Sequence, residues 1–230
     1  MLTLENVQIN QDDFSLNADL TVAEGARVAV LGPSGAGKST LIGAIAGFVP
    51  LTAGVIGWCG ERIDHLPPAK RPLSILFQDN NLLPHLSVFE NVALGLNPNL
   101  RLTSAERQAV VQALEGTELQ GLEHRKPAQL SGGQISRAAL ARVLLRAKPI
   151  LLLDEPFAAL GPALKTSMLD LVGRIADKSG ATVLMITHDP NDALRFCPQT
   201  VLVADGRADA PADTRGLLEA PPPALAAYLG

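Results

Sequence analysis

The chain reads as an α/β fold: a parallel sheet covered by helices on both faces, with a helical block lodged between its strands. Three observations carry this. Continuous apolar strands, "RVAVLG" at 27–32, "PILLLDE" at 149–155, "ATVLMITH" at 181–188 and "TVLVADG" at 200–206, alternate with helical stretches. The first of them runs through a glycine-rich turn straight into a helix. Between about 80 and 145 the strands cease and helix-capping signals recur.

Taken in order, "LTLENVQI" and "FSLNADLTV" alternate apolar and polar residues as half-buried strands do, and a turn at Glu24-Gly25 leads to the third strand. That strand ends at Gly32, and a helix starts near Lys38 and stops at Gly47. Short strands "VIGW" and "LSILF" follow, the second after the turn-rich "HLPPAKRP". In the helical block, Ser87 and Glu90, then Thr103 and Glu106, stand at capping-box spacing. A block of this kind between strands predicts an inserted subdomain within one domain spanning 1–230. Beyond "PILLLDE" the chain predicts a helix at 162–178 and a short helix after Asp189-Pro190.

Composition narrows the function. The chain has 230 residues, 47% apolar and 18% charged, enough for a real core. A net charge of −4 gives no global attraction to nucleic acid or anionic lipid. Cys59 and Cys197 form no pattern, and a disulfide or a reduced cytosolic setting both remain open, the second being expected. The N-terminal "MLTLENVQINQDD" lacks the basic and apolar regions of a signal peptide. No apolar run approaches the roughly 18 residues of a membrane-spanning helix, so the chain is not expected to cross a membrane itself.

"GPSGAGKST", Gly32, Pro33, Ser34, Gly35, Ala36, Gly37, Lys38, Ser39 and Thr40, has the spacing of a phosphate-binding loop between strand and helix. Its glycines let successive N–H groups converge on phosphate oxygens at the positive end of a helix dipole. Lys38 would reach the β and γ phosphates, and the Ser39 hydroxyl would join a Mg²⁺ shell. "ILLLDEP" brings Asp154 and Glu155 to a strand's carboxyl end, where ligands of open parallel sheets sit. Alone, this acid pair fits a helix cap before Pro156 equally well; beside the phosphate loop, Asp154 suits the metal and Glu155 the attacking water. Gln78 and His188 also end apolar strands, and the imidazole suits a γ-phosphate oxygen. His65, His85 and His124 carry no such context.

A second glycine turn, Leu130, Ser131, Gly132, Gly133 and Gln134, precedes the helix "QISRAALARVLLRA" but follows no apolar strand and lacks the lysine. It reads either as a plain helix cap or as a loop that closes over a phosphate held by another copy in a two-fold dimer. Nucleotide would then join the copies and hydrolysis release them.

The order of these motifs resembles an ABC transporter ATPase across essentially the whole chain: phosphate loop at 32–39, Gln78, "LSGGQ" at 130–134, the acids Asp154 and Glu155, and His188. The resemblance implies a P-loop NTPase cassette with a RecA-like parallel core, an N-terminal antiparallel β subdomain and an inserted helical subdomain. It implies ATP and Mg²⁺, with Ser39, Gln78 and Asp154 at the metal and Glu155, His188 and Gln78 as catalytic residues. It further implies a head-to-tail homodimer on integral-membrane permease subunits, at the cytoplasmic face of a bacterial inner membrane, served indirectly by a periplasmic binding protein. The helical block and the Gln78 loop would form the permease-docking surface.

Within that family, "PPAKRPLSILFQDNNLLPHLSV" and "ENVALGLNPNL" resemble the ATP-binding subunits of bacterial thiamine importers, and the chain stops soon after its last predicted strand. The other cargoes open to this type are ferric iron, sulfate and polyamines. A soluble relative acting on DNA or ribosomes is disfavoured by the short single cassette, which has no basic stripe. Three departures stand out. "AALGP" places Ala158 and Gly161 where the family has Ser and Asp, which keeps a non-hydrolysing switch open. Ile135 replaces a common Arg, leaving Arg137. No N-terminal aromatic is placed to stack on adenine except Phe14, which could equally be a core residue, so weak base selectivity is expected.

Overall fold

In the computed structural model, residues 1–79, 81–158 and 160–229 are described. Asn80, within the phrase leading from Gln78, Ala159, within "AALGP", and Gly230 lie outside the described residues. Two compact units emerge. The first comprises Met1–Leu73, Pro149–Glu155 and Ala176–Gly230, and the second Ser74–Lys148 and Pro156–Ile175.

In the first unit, β1 (Leu2–Gln11) and β2 (Phe14–Val22) form an antiparallel hairpin whose alternating side chains bury Leu2, Leu4, Val7, Ile9, Leu16 and Leu20. Then come β3 (Arg27–Leu31), α1 (Lys38–Ala46), β4 (Ala53–Trp58) and β5 (Glu61–Arg62). β4 pairs antiparallel with β1, whose register shifts between Glu5 and Gln8. A methyl on Gly54 would lie 2.4 Å from the Asn6 carbonyl oxygen, so only glycine lets β4 pass this bulge. β6 (Leu73–Leu76) begins where the first unit hands the chain to the second.

The second unit is helical. α2 (Val88–Ala93), α3 (Ser104–Gly116) and α4 (Gly132–Leu145) enclose a core of Val88, Val92, Val110, Leu114, Leu119 and Ala138. Ser87 with Glu90 and Thr103 with Glu106 form full capping boxes, as their spacing predicts. Buried Asn91 accepts from the Leu83 N–H and donates to the Leu83, Leu86 and Ser87 carbonyls, tying the entry loop to α2 without an orphaned amide.

The chain then returns through β7 (Ile150–Asp154), α5 (Pro162–Ser179), β8 (Thr182–Ile186), α6 (Pro190–Phe196) and β9 (Gln199–Ala204). β9, β3, β8 and β7 are neighbours in that order, all parallel. Their residues are buried on both faces, Val28, Val30, Leu152, Val183 and Val203 among them, which explains why their sequences do not alternate.

Several expectations need correction. α4 starts at Gly132, not Gln134, so the glycine pair is the helix's first turn. Pro156 opens no helix; α5 begins at Pro162, and residues 156–158 form a turn. β8 ends at Ile186, leaving His188 in the turn beyond it. The second unit begins at Ser74 and takes in most of α5. After β9 the chain does not trail off: β10 (Arg207–Ala208) bridges β9 to β2, β11 (Ala212–Asp213) pairs with β9, and α7 (Thr214–Glu219) and α8 (Pro223–Leu229) follow. These pieces are two to seven residues long, too short to show a period in sequence.

Candidate functional site

The parallel register makes β3, β7 and β8 end on one edge, and each delivers a polar cluster there. From β3 the chain enters the glycine turn. Gly32 has φ +149°, and a methyl there would lie 1.9 Å from the Val203 carbonyl oxygen. Gly37 is the N-cap of α1 at φ +101°, with no side chain capping the helix, so the first N–H groups of α1 remain free to meet an anion. The half-buried Phe14 ring rests against Gly37, so this residue sits at the rim of the turn. The Lys38 amine folds back over the turn, donating to the Gly32 and Pro33 carbonyls at 2.7 and 2.8 Å. Burial pulls the Lys38 pKa down, while Glu155 and Asp154 oppose that shift. Ser34 and Gly35 are exposed at the mouth, and Ala36 and Thr40 are half-buried.

From β7 comes Asp154, which accepts a 3.4 Å hydrogen bond from the Ser39 hydroxyl. Burial, reinforced by the charge of Glu155, raises the Asp154 pKa above the usual carboxylate range, against Ser39 and Lys38. A hydroxyl and a carboxylate side by side suit a hard cation. Among the described residues no group of three or more His, Cys, Asp or Glu could hold a metal, so Ser39 and Asp154 would leave most of a cation's shell to other ligands.

Glu155 follows in a left-handed conformation, φ +44°, unusual for a non-glycine. Its N–H donates to the Ile186 carbonyl at the end of β8, and its carboxylate lies 3.1 Å from His188 Nδ1. The turn carrying His188 is fastened by the Thr187 hydroxyl, which accepts from the Asp189 N–H and donates to Asp192. Tyr228 of α8 donates to the His188 carbonyl at 2.8 Å. Sequence reasoning missed Tyr228, because its stretch reads as a tail; its one signal is that it is the chain's only tyrosine.

Lys38, Ser39, Asp154, Glu155 and His188 therefore share the first unit. Gln78 and residues 130–134 belong to the second. Gln78 is exposed, beyond the end of β6. Ser131 is the N-cap of α4: its side chain accepts from the Gln134 N–H, and the Gln134 side chain accepts from the Ser131 N–H. Leu130 is half-buried, Gly132 is exposed, and Gly133 is buried against Leu164. His65, His85 and His124 are exposed. Both cysteines are free, Cys59 exposed and Cys197 buried, so the disulfide alternative is not realised.

Residues 16–158 match the family model described as ABC transporter. The chain is 59% identical over 230 residues, the full length of both proteins, to the thiamine import ATP-binding protein ThiQ of Cereibacter sphaeroides. It is similar to a solved nucleotide-free ATP-binding cassette from an ABC transporter, with TM-score 0.90 and 25% identity over 100% of this chain and 99% of that one. A dimeric ATP-binding cassette in a post-hydrolysis state, bound to ADP and Pi, matches with TM-score 0.81 and 31% identity over 94% of this chain and 100% of that one.

Proposed function

The chain belongs to the ABC transporter family, and from that premise we propose that it is the ATP-binding subunit of a thiamine importer, hydrolysing ATP to drive uptake through a membrane permease. The cargo rests on the full-length likeness to a thiamine import subunit. No residue of the chain need touch thiamine for this role.

In this reading the N–H groups of residues 32–40 and the Lys38 amine bind the triphosphate. Lys38 gives up its two carbonyl partners when phosphate oxygens replace them. Ser39, Asp154 and Gln78 are the residues that would hold Mg²⁺, which when bound supplies positive charge against the phosphates. Glu155 orients and polarises the attacking water. His188 holds a phosphate oxygen; if Nδ1 donates to Glu155, donation from Nε2 as well requires protons on both ring nitrogens.

The two units act as one cassette of residues 1–230, and two cassettes form a head-to-tail homodimer in which Leu130–Gln134 of each copy closes over the nucleotide of the other. The dimer works on integral-membrane permease subunits at the cytoplasmic face of the bacterial inner membrane, fed by a periplasmic binding protein, with no nucleic-acid partner. Among the described residues no helix is long and apolar enough to cross a membrane, which suits a peripheral subunit.

The test is uptake of labelled thiamine at low external concentration, in cells lacking other routes, carrying this chain or its Glu155→Gln variant. Uptake with the parent and none with the variant is expected. Equal uptake in both would sink the role of Glu155, and none in either would sink thiamine as cargo.

A further inference from the structure

The contact between Tyr228 and the His188 turn has no part in the roles assigned above. α8 is anchored by Leu225, which is completely buried, and Tyr228 lies three residues on, on the same face of the helix. Its hydroxyl donates to the main-chain carbonyl of His188 at 2.8 Å. The bond has a definite direction, since a carbonyl only accepts and the phenol keeps its proton. Burial first, then the negative charges of Glu155 and Asp189, hold its pKa above the ordinary tyrosine value.

Within the turn that Thr187 fastens, the His188 side chain is largely exposed, at 57%. The residue lies beyond the end of β8, and its imidazole contact is the 3.1 Å approach to Glu155. The Thr187 bonds to Asp189 and Asp192 fix the turn on either side of it. Tyr228 restrains the His188 carbonyl from a helix about 40 residues downstream in sequence. Holding the carbonyl restrains the peptide plane that follows His188, and so narrows the directions its side chain can take from the backbone.

We propose that Tyr228 is a positioning residue for ATP hydrolysis, holding the His188 main chain so that the imidazole faces Glu155 and the phosphate site. This rests on the reading of Glu155 and His188 given above. Tyr228 touches neither nucleotide nor water in this role; it acts through His188.

The experiment compares four forms of the full chain assembled with its permease: parent, Tyr228→Phe, His188→Ala, and the double variant. Steady-state and single-turnover hydrolysis are read with unfolding midpoints alongside. Phenylalanine keeps the ring and its packing and removes only the hydroxyl. The expected result is a roughly fivefold lower kcat in Tyr228→Phe, the scale of one neutral hydrogen bond, with the KM for ATP changed less than about twofold. In the His188→Ala background the same change should have no further effect, because the residue it positions is gone. An equal loss in both backgrounds would show that Tyr228 does not act through His188 and would overturn the proposal. An unchanged kcat in Tyr228→Phe, beside a lowered one in His188→Ala, would overturn it while leaving the catalytic reading intact. Full activity in His188→Ala would overturn both.

Discussion

The two glycine turns look alike as strings and are opposites as structures. In the turn at 32–40 the helix begins with Gly37 in a left-handed conformation and no side-chain cap, and the charged groups around it are held at a cost. Burial disfavours the charge on both Lys38 and Asp154. In the turn at 130–134, Ser131 and Gln134 satisfy each other's backbone N–H groups, and the helix start is complete in itself. The first leaves a helix start without a side-chain cap, the arrangement that gains from an anionic ligand. The second offers no charged side chain and no free cap, so under the reading proposed above it would act on nucleotide only through exposed backbone presented to a second copy.

The largest effect that separates the two turns falls on Lys38. Lys38→Ala removes a charged donor from the open turn and leaves the capped one untouched. Equilibrium titration with ATP should show affinity lower by about 10- to 100-fold, the range of one or two charge-assisted hydrogen bonds. Because the two carbonyls the amine now satisfies can turn to water, the unfolding midpoint without nucleotide should move little. Undiminished affinity would remove the turn from the binding site.

A smaller effect tests whether the open turn is held at a cost. The Asp154 carboxyl is raised above its ordinary value of 3.8, so between that value and its folded value the native state keeps a proton the unfolded chain has released. Stability therefore falls as pH rises through that window, and the penalty is complete above it. Asp154→Asn should remove the penalty. Since the carboxyl is only half-buried, water screens much of it, and the gain should be about 1 kcal/mol or less, a midpoint roughly 2 °C higher at neutral pH. The gain should vanish below the window, where the parent is protonated too. The same variant should lose Mg²⁺-dependent hydrolysis, a trade of activity for stability. A midpoint that falls at neutral pH would refute the account.

What the sequence disclosed follows the same division. Parallel strands buried on both faces leave long apolar runs, and capping boxes leave a fixed spacing. Hence β3, β7, the ends of α1 and the caps at Ser87 and Thr103 were all legible. The glycine turn before α1 and the acids closing the apolar run of β7 were legible as patterns of fixed residues at fixed intervals. Three things were not. Gly132 and Gly133 read as a loop because glycine disfavours helix interiors, yet the capping box draws the helix start back over them. Glu155 adopts a left-handed backbone that no local pattern of residues announces; its N–H bond to Ile186, over thirty residues away, accompanies it. Tyr228 reaches His188 only once α8 has packed through Leu225, a contact between distant parts of the chain with no local signature.

The finest test lies at Gly132, where the two accounts of the second turn part. The residue is exposed, is the first of α4, and has nothing within 4 Å of where a methyl would sit. If the turn were only a helix cap, alanine would be harmless or better, since it lowers the entropy lost on folding. Gly132→Ala should then stabilise the chain by about 0.5 kcal/mol, a midpoint shift of roughly 1–2 °C. If the exposed backbone must also approach a phosphate held by a second copy, the same methyl should slow hydrolysis in the permease complex. ATP affinity of the isolated chain, set by Lys38 and its neighbours, should stay as it was. A small rise in stability together with a loss of turnover is therefore the expected pair, because a methyl that the free chain accommodates would be penalised at an interface the free chain lacks. Turnover equal to the parent's would return Leu130–Gln134 to the status of a helix start and leave the open turn to work alone.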